Sequence, residues 1–295
     1  MIGSEIKRYY LLIGFLLLIP LFGYGQDQKV ADNLIEIYQR GVPNKQERME
    51  LLKKLAFNES NDLEAALKYS NELIEIATAE KSDRYIYEGH LNKGYAYRLL
   101  GDINKALEAL YTSSDVAKKA TLLEQEAVSY TAIADVYSEI GNAANAELYY
   151  DKGIAILREL DKPISLASAL FNAGDEYFNN RKFEKALKNY EEAGLIFKNE
   201  NYLIGSAYTN GNIGMIYAEK GDHRLAWEKI NEAIIVLEDL EDYYAISEYL
   251  TYMSDIYVSL GDWETAVNYA DRSLELAIKN GLKKQIAESN LKLSE

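Results

Sequence analysis

The side chains that most often bind metals or move protons are nearly absent from this sequence: two histidines, His90 and His223, and no cysteine. A helical metal site needs His, Cys or carboxylate ligands at i, i+4 spacing, and neither histidine has such a partner. The glycines stand singly, so no phosphate-cradling loop is formed. Carboxylate neighbours such as Glu191 and Glu192 have the spacing of a solvated helix face. No catalytic residue, cofactor site or metal site is therefore expected. What does recur is a hydrogen-bonding set in register. Asp135, Asp175 and Asp255 share a column of period 40 with Tyr95 and Met215, and Asn92, Asn172 and Asn212 stand three residues ahead. Carboxylates attract cations and repel anions, and an asparagine amide both donates and accepts. This is the chemistry of binding rather than turnover.

These residues are positioned by a repeat. Gly94, Ala134, Gly174, Gly214 and Ser254 each precede a tyrosine by three residues: Tyr97, Tyr137, Tyr177, Tyr217 and Tyr257. Four residues later come Gly101, Gly141, Arg181, Gly221 and Gly261. Each glycine is followed by Asp or Asn, and five residues on an alanine recurs at 66, 106, 146, 186, 226 and 266. Glycine can end a helix in the left-handed conformation and the next Asp or Asn can cap a new one. Each turn therefore joins two antiparallel helices, and the alanine marks where they come closest. A large-then-small stripe follows on the second helix of each pair: Leu110 and Ser113, Tyr150 and Gly153, Tyr190 and Ala193, Ile230 and Ala233. Such a period denotes a stacked array, which grows by adding units and is not limited by a single core.

Composition agrees with long helices: 48% hydrophobic residues, 18 Gly and only 3 Pro. The formal charge of −15 repels phosphate backbones and argues against nucleic acid as partner. Ahead of the array, Lys7 and Arg8, the apolar run Leu11 to Phe22 and the small residues Gly23 and Gly25 have the layout of a secretory leader, residues 1–25. The run is too short to span a bilayer core of about 30 Å as a helix. Residues 26–43 read as an N-terminal capping helix, interrupted at Gly41-Val42-Pro43. Asn44 and Glu47 then have capping-box spacing. Residues 44–295 read as about six helix pairs, the first worn, plus the first helix of a seventh.

The combination Gly-x-x-Tyr, Gly-Asp, Ala, then a large and a small residue resembles the tetratricopeptide repeat. The resemblance covers roughly residues 47–295 with a unit of 40 in place of the common 34. It implies an all-α, right-handed superhelical solenoid of antiparallel helix pairs whose first helices line a concave groove. In that groove Asn92, Tyr95, Asp135, Asn172, Asp175, Asn212, Met215 and Asp255 become the candidate binding residues. The expectation is an acidic wall that receives a basic or polar peptide segment and repels a C-terminal carboxylate. The function implied is a non-enzymatic protein-interaction scaffold, exported to the periplasm or surface of a bacterium. The alternative is the extracytoplasmic sensory part of a signalling protein whose output is a histidine kinase, a nucleotide cyclase or a DNA-binding domain. On that alternative the partners are still proteins, and a membrane enters only through an uncleaved leader or a further segment.

Overall fold

The computed structural model describes residues 28–294; the leader expected at residues 1–25 lies outside them. Among the described residues there are fourteen helices and no strand: α1 (Gln28–Arg40), α2 (Lys45–Asn58), α3 (Leu63–Ala79), α4 (Asp83–Leu99), α5 (Ile103–Lys119), α6 (Leu123–Glu139), α7 (Ala143–Arg158), α8 (Pro163–Asn179), α9 (Phe183–Asn199), α10 (Leu203–Glu219), α11 (His223–Asp239), α12 (Tyr243–Ser259), α13 (Trp263–Lys279) and α14 (Lys283–Ser294). Even-numbered helices are the first of each pair and odd-numbered ones, from α3, the second. Most are 17 residues, about 25 Å long, and short connections complete the period of 40.

Local chemistry accounts for the hairpins. The side chains of Asp62, Asp102, Asn142, Asp222 and Asp262 each accept from the backbone N–H three residues on, at 3.0–3.3 Å, satisfying a donor that the new helix leaves open. From the second hairpin on, the residue before the cap is left-handed, with φ of 76° at Gly101. Arg181 adopts φ 57° in the same column, at the cost a Cβ incurs there. The return connections use the same left-handed step at Lys81, Thr121, Asn201 and Glu241, positions whose residue types do not announce it. Asn44 caps α2 by accepting from Glu47 N–H at 3.0 Å, and α1 packs on α2.

The alanine column is fully sequestered, from Ala66 to Ala266 at 0–2% exposure. In the partner helix of each hairpin small residues allow the same approach: a Cβ on Gly214 would lie 3.1 Å from the carbonyl oxygen of Ala226. The large column of the second helices, Leu110, Tyr150, Tyr190 and Ile230, is buried against this seam. Successive first helices also approach closely along their backbones, α4 with α6, α6 with α8, α8 with α10 and α10 with α12, whereas successive second helices meet only through side chains, such as Tyr111 with Tyr149 and Arg158 with Glu192. The array therefore curves with its first helices inside and its second helices outside.

Candidate functional site

The inner face is where the candidate residues fall, and burial there is deeper than expected. Asn92 (2% exposed), Asp135 (2%), Asn172 (1%) and Asp175 (5%) are buried, as are Tyr95 and Met215. Asn212 and Asp255 are half-buried. The solvated acidic wall expected from the sequence is thus corrected at Asp135 and Asp175. Because the first helices pack on one another, this column lies in the seam between them. Of the three aspartates, only Asp255 stays partly in water, and it is paired with Lys292 Nζ at 2.8 Å.

In the seam the polar groups satisfy one another along diagonals of 37 residues, one turn short of the period. Asp135 Oδ1 accepts from the Tyr150 hydroxyl at 2.6 Å and from Asn172 Nδ2 at 3.4 Å. Its other oxygen lies 3.6 Å from Arg98 Nη1, and Arg98 Nε reaches Glu139 at 3.2 Å. One turn further along α8, Asp175 accepts from the Tyr190 hydroxyl and from Asn212 Nδ2, the latter at 2.9 Å. Asn212 Oδ1 in turn accepts from the Tyr249 hydroxyl at 2.9 Å, which also bonds the Tyr208 carbonyl at 3.2 Å. The two diagonals, Arg98–Asp135–Asn172 and Asp175–Asn212–Tyr249, meet on α8 and tie α4 to α12. Asn92 begins a similar step by donating to the Lys53 carbonyl at 3.4 Å. The asparagine amides expected to pair with a bound peptide are thus largely occupied by the protein itself, although Asn172 Oδ1 has no partner among the described residues.

Burial disfavours the charged forms here. The Asp175 carboxyl is pushed up to about 8, chiefly by desolvation, with the Glu248 charge adding to it and the Tyr190 and Asn212 hydrogen bonds opposing. Burial pushes Asp135 up as well, with the Arg98 guanidinium opposing, and raises Glu139 to about 6. Glu88 on α4 and Glu248 on α12, four periods apart in one column, are both raised by burial. Neither makes an ion pair within 4.0 Å among the described residues.

Sequence reasoning missed Arg98, Glu88 and Glu248, which lie outside the Asn and Asp columns. The 37-residue step from Arg98 to Asp135 is the one signal that could have found the first. His90 is half-buried, with burial lowering its basicity, and His223 opens α11. Among the described residues no group of three or more His, Asp or Glu side chains is placed to hold a metal ion, and no helix is long and apolar enough to cross a membrane.

Models of the tetratricopeptide repeat match residues 85–159, 167–193 and 253–284. These stretches of the chain are tetratricopeptide repeats. The chain is 28% identical over 102 residues to heat shock protein STI1 of Saccharomyces cerevisiae, a match covering 34% of this chain and 16% of that protein. Among solved structures it is similar to BtubC (BKLC) from P. vanneervenii, with a TM-score of 0.65, 20% identity, and 75% of this chain and 94% of that one covered. It is also similar to NprR, solved in complex with its cognate peptide NprX, with a TM-score of 0.63, 17% identity, and 91% and 80% coverage. At these identities the likeness is one of fold: an all-α solenoid of the tetratricopeptide kind.

Proposed function

We propose that this protein is a non-enzymatic scaffold that binds a basic or polar segment of a protein or peptide along its inner face. The observation that carries the reading is the pair Glu88 and Glu248. Both carboxylates are half-buried on first helices, both are disfavoured by their surroundings, and neither is matched by an ion-pair partner. Lys53 and Arg84 near Glu88 and Lys284 near Glu248 offset the burial only in part, and a lysine or arginine from a bound segment would add to them. The fold likeness to NprR, whose structure holds a peptide, supports the same mode. Behind these carboxylates the Asp135 and Asp175 diagonals hold the inner helices at fixed spacing, so the surface is preorganised rather than assembled on binding.

The test is titration of a labelled lysine-rich peptide and its glutamate-rich counterpart, followed by fluorescence anisotropy at low and high salt. The reading expects binding of the basic peptide only, weakened by salt and by Glu88→Gln with Glu248→Gln. Equal affinity for both peptides would contradict it.

A second reading makes the array the exported sensory part of a signalling protein, and rests on the leader pattern of Lys7, Arg8 and Leu11 to Phe22. Fusion of residues 1–40 to a reporter active only outside the cytoplasm tests the export that both readings assume. A reporter left inside would contradict it.

A further inference from the structure

The outer face carries a comparison internal to the repeat. Successive second helices meet only through side chains, and the tyrosine recurring on each first helix lies in the groove between them. Between α5 and α7 that tyrosine, Tyr137, is covered by Tyr149, stacked at 5.8 Å between centroids with planes 16° apart, and its hydroxyl meets that of Tyr111 at 2.9 Å. Between α11 and α13 the equivalent Tyr257 is covered by Tyr269 at 5.4 Å and 18°. Trp227 stands beside it, near the Tyr257 hydroxyl.

The groove between α3 and α5 lacks every one of these rings. In the same columns, Ala109 stands where Tyr149 and Tyr269 stand, Asn71 where Tyr111 stands, and Leu67 where Trp227 stands. A cavity of about 590 Å³ opens beside α3, lined by Glu64, Leu67, Asn71 and Glu75, by Lys68, whose ammonium is drawn to the Tyr38 ring at 5.7 Å, and by Tyr97 of α4. That volume is ample for an aromatic side chain. Several charges around it are already matched. Glu72 is bonded by Arg48 Nε at 2.9 Å, Lys105 is paired with Asp102 at 2.8 Å, and Lys93 donates to Asn71 Oδ1 at 2.9 Å. Glu64 and Glu75 are exposed and make no ion pair among the described residues.

We propose that this groove is a docking site for a partner protein that presents an aromatic side chain flanked by basic residues. The ring enters the cavity against Tyr97, whose face the Lys93 and Lys105 ammonium groups approach at 5.9 and 5.3 Å and would yield in part, and the flanking cations meet Glu64 and Glu75. The site lies on the opposite face from the inner-face reading and stands independently of it. Two other repeats show that the fold accepts a ring at this place, and the carboxylates on the rim select the neighbours of that ring.

The test uses glycine-serine dodecapeptides carrying Arg-Tyr-Arg, Arg-Ala-Arg or Glu-Tyr-Glu at their centre, titrated by calorimetry into the full chain. The Arg-Tyr-Arg peptide is expected to bind about tenfold more tightly than either control. Ala109→Tyr, which fills the groove as Tyr149 and Tyr269 fill theirs, is expected to abolish that preference. Should this variant unfold, Glu64→Lys with Glu75→Lys, at exposed positions, is expected to reduce binding of Arg-Tyr-Arg about tenfold. Absence of binding, equal affinity for the three peptides, or undiminished binding in a folded variant overturns the proposal. Self-association of the protein alone that Ala109→Tyr removes would replace the partner with a second copy and overturn it equally.

Discussion

Asp135 and Asp175 occupy the same column of neighbouring repeats and have the same immediate partners: the hydroxyl of a tyrosine 15 residues on and the amide of an asparagine 37 residues on. They differ in one respect. Arg98, 37 residues before Asp135, places a guanidinium against it, whereas the residue 37 before Asp175 is Ser138, which bonds Glu176 instead. Burial raises both carboxyls, but at Asp135 a guanidinium opposes it, whereas at Asp175 only hydrogen bonds do and the group is driven toward its neutral form, up to about 8. A repeat copied along a chain thus yields two electrostatic solutions to the same packing problem. The choice is set by a residue one helix away.

The largest effect is expected where this compensation is removed. Arg98→Ala leaves the buried Asp135 without its cation and next to the Glu139 carboxylate, and should cost about 3–5 kcal/mol. Asp135→Asn added to it should recover a large part of the loss, and urea unfolding followed by circular dichroism at pH 7 checks both. If the double variant is as unstable as the single, the two sites do not differ in the way described.

Next comes the steric side of the second diagonal. A Cβ on Gly211 would lie 2.1 Å from the ring of Tyr249, which is buried and hydrogen-bonded to Asn212 and Tyr208, so the ring cannot easily withdraw. Gly211→Ala should destabilise by about 2–3 kcal/mol, and Tyr249→Ser should relieve the clash, giving strong coupling in a double-mutant cycle.

The uncompensated carboxyl makes a smaller, pH-dependent prediction. Its folded value of about 8 lies above the ordinary 3.8, so the folded state holds a proton that the unfolded chain releases. The stability it lends is complete below about pH 4 and is lost as the pH rises through about 8. Asp175→Asn should match the wild type near pH 6 and exceed it by about 2–3 kcal/mol at pH 8 to 9. Asp135→Asn should bring no such gain, because it strips a partner from Arg98. The smallest effect belongs to the outer surface. Arg158 and Glu192 form a bidentate pair between α7 and α9, yet Arg158→Ala should cost no more than about 0.5–1 kcal/mol, as solvent screens it.

Much of the fold was legible because its determinants are local. A glycine before an Asp cap and an alanine five residues further on define each hairpin wherever they occur, and even Arg181 could be placed by phase alone. The return connections were not legible, since Lys81, Thr121, Asn201 and Glu241 take a left-handed conformation that tertiary packing imposes. The candidate residues were assigned to the correct face but to the wrong environment. Period fixes which side of a helix a residue occupies, while its burial depends on how closely the next first helix approaches, and that distance is set by side chains up to 40 positions away. Hence Asp255, near the end of the described array, is half-exposed whereas Asp135 and Asp175 are enclosed.

The account rests on the inner aspartates acting as buried ties between helices rather than as a solvated wall. Carboxyl ¹³C chemical shifts of labelled aspartate, followed from pH 3 to 10 and assigned with Asp175→Asn, test this directly. The account predicts a midpoint for Asp175 near 8. A midpoint near 4, the value of a carboxylate in water, would contradict it.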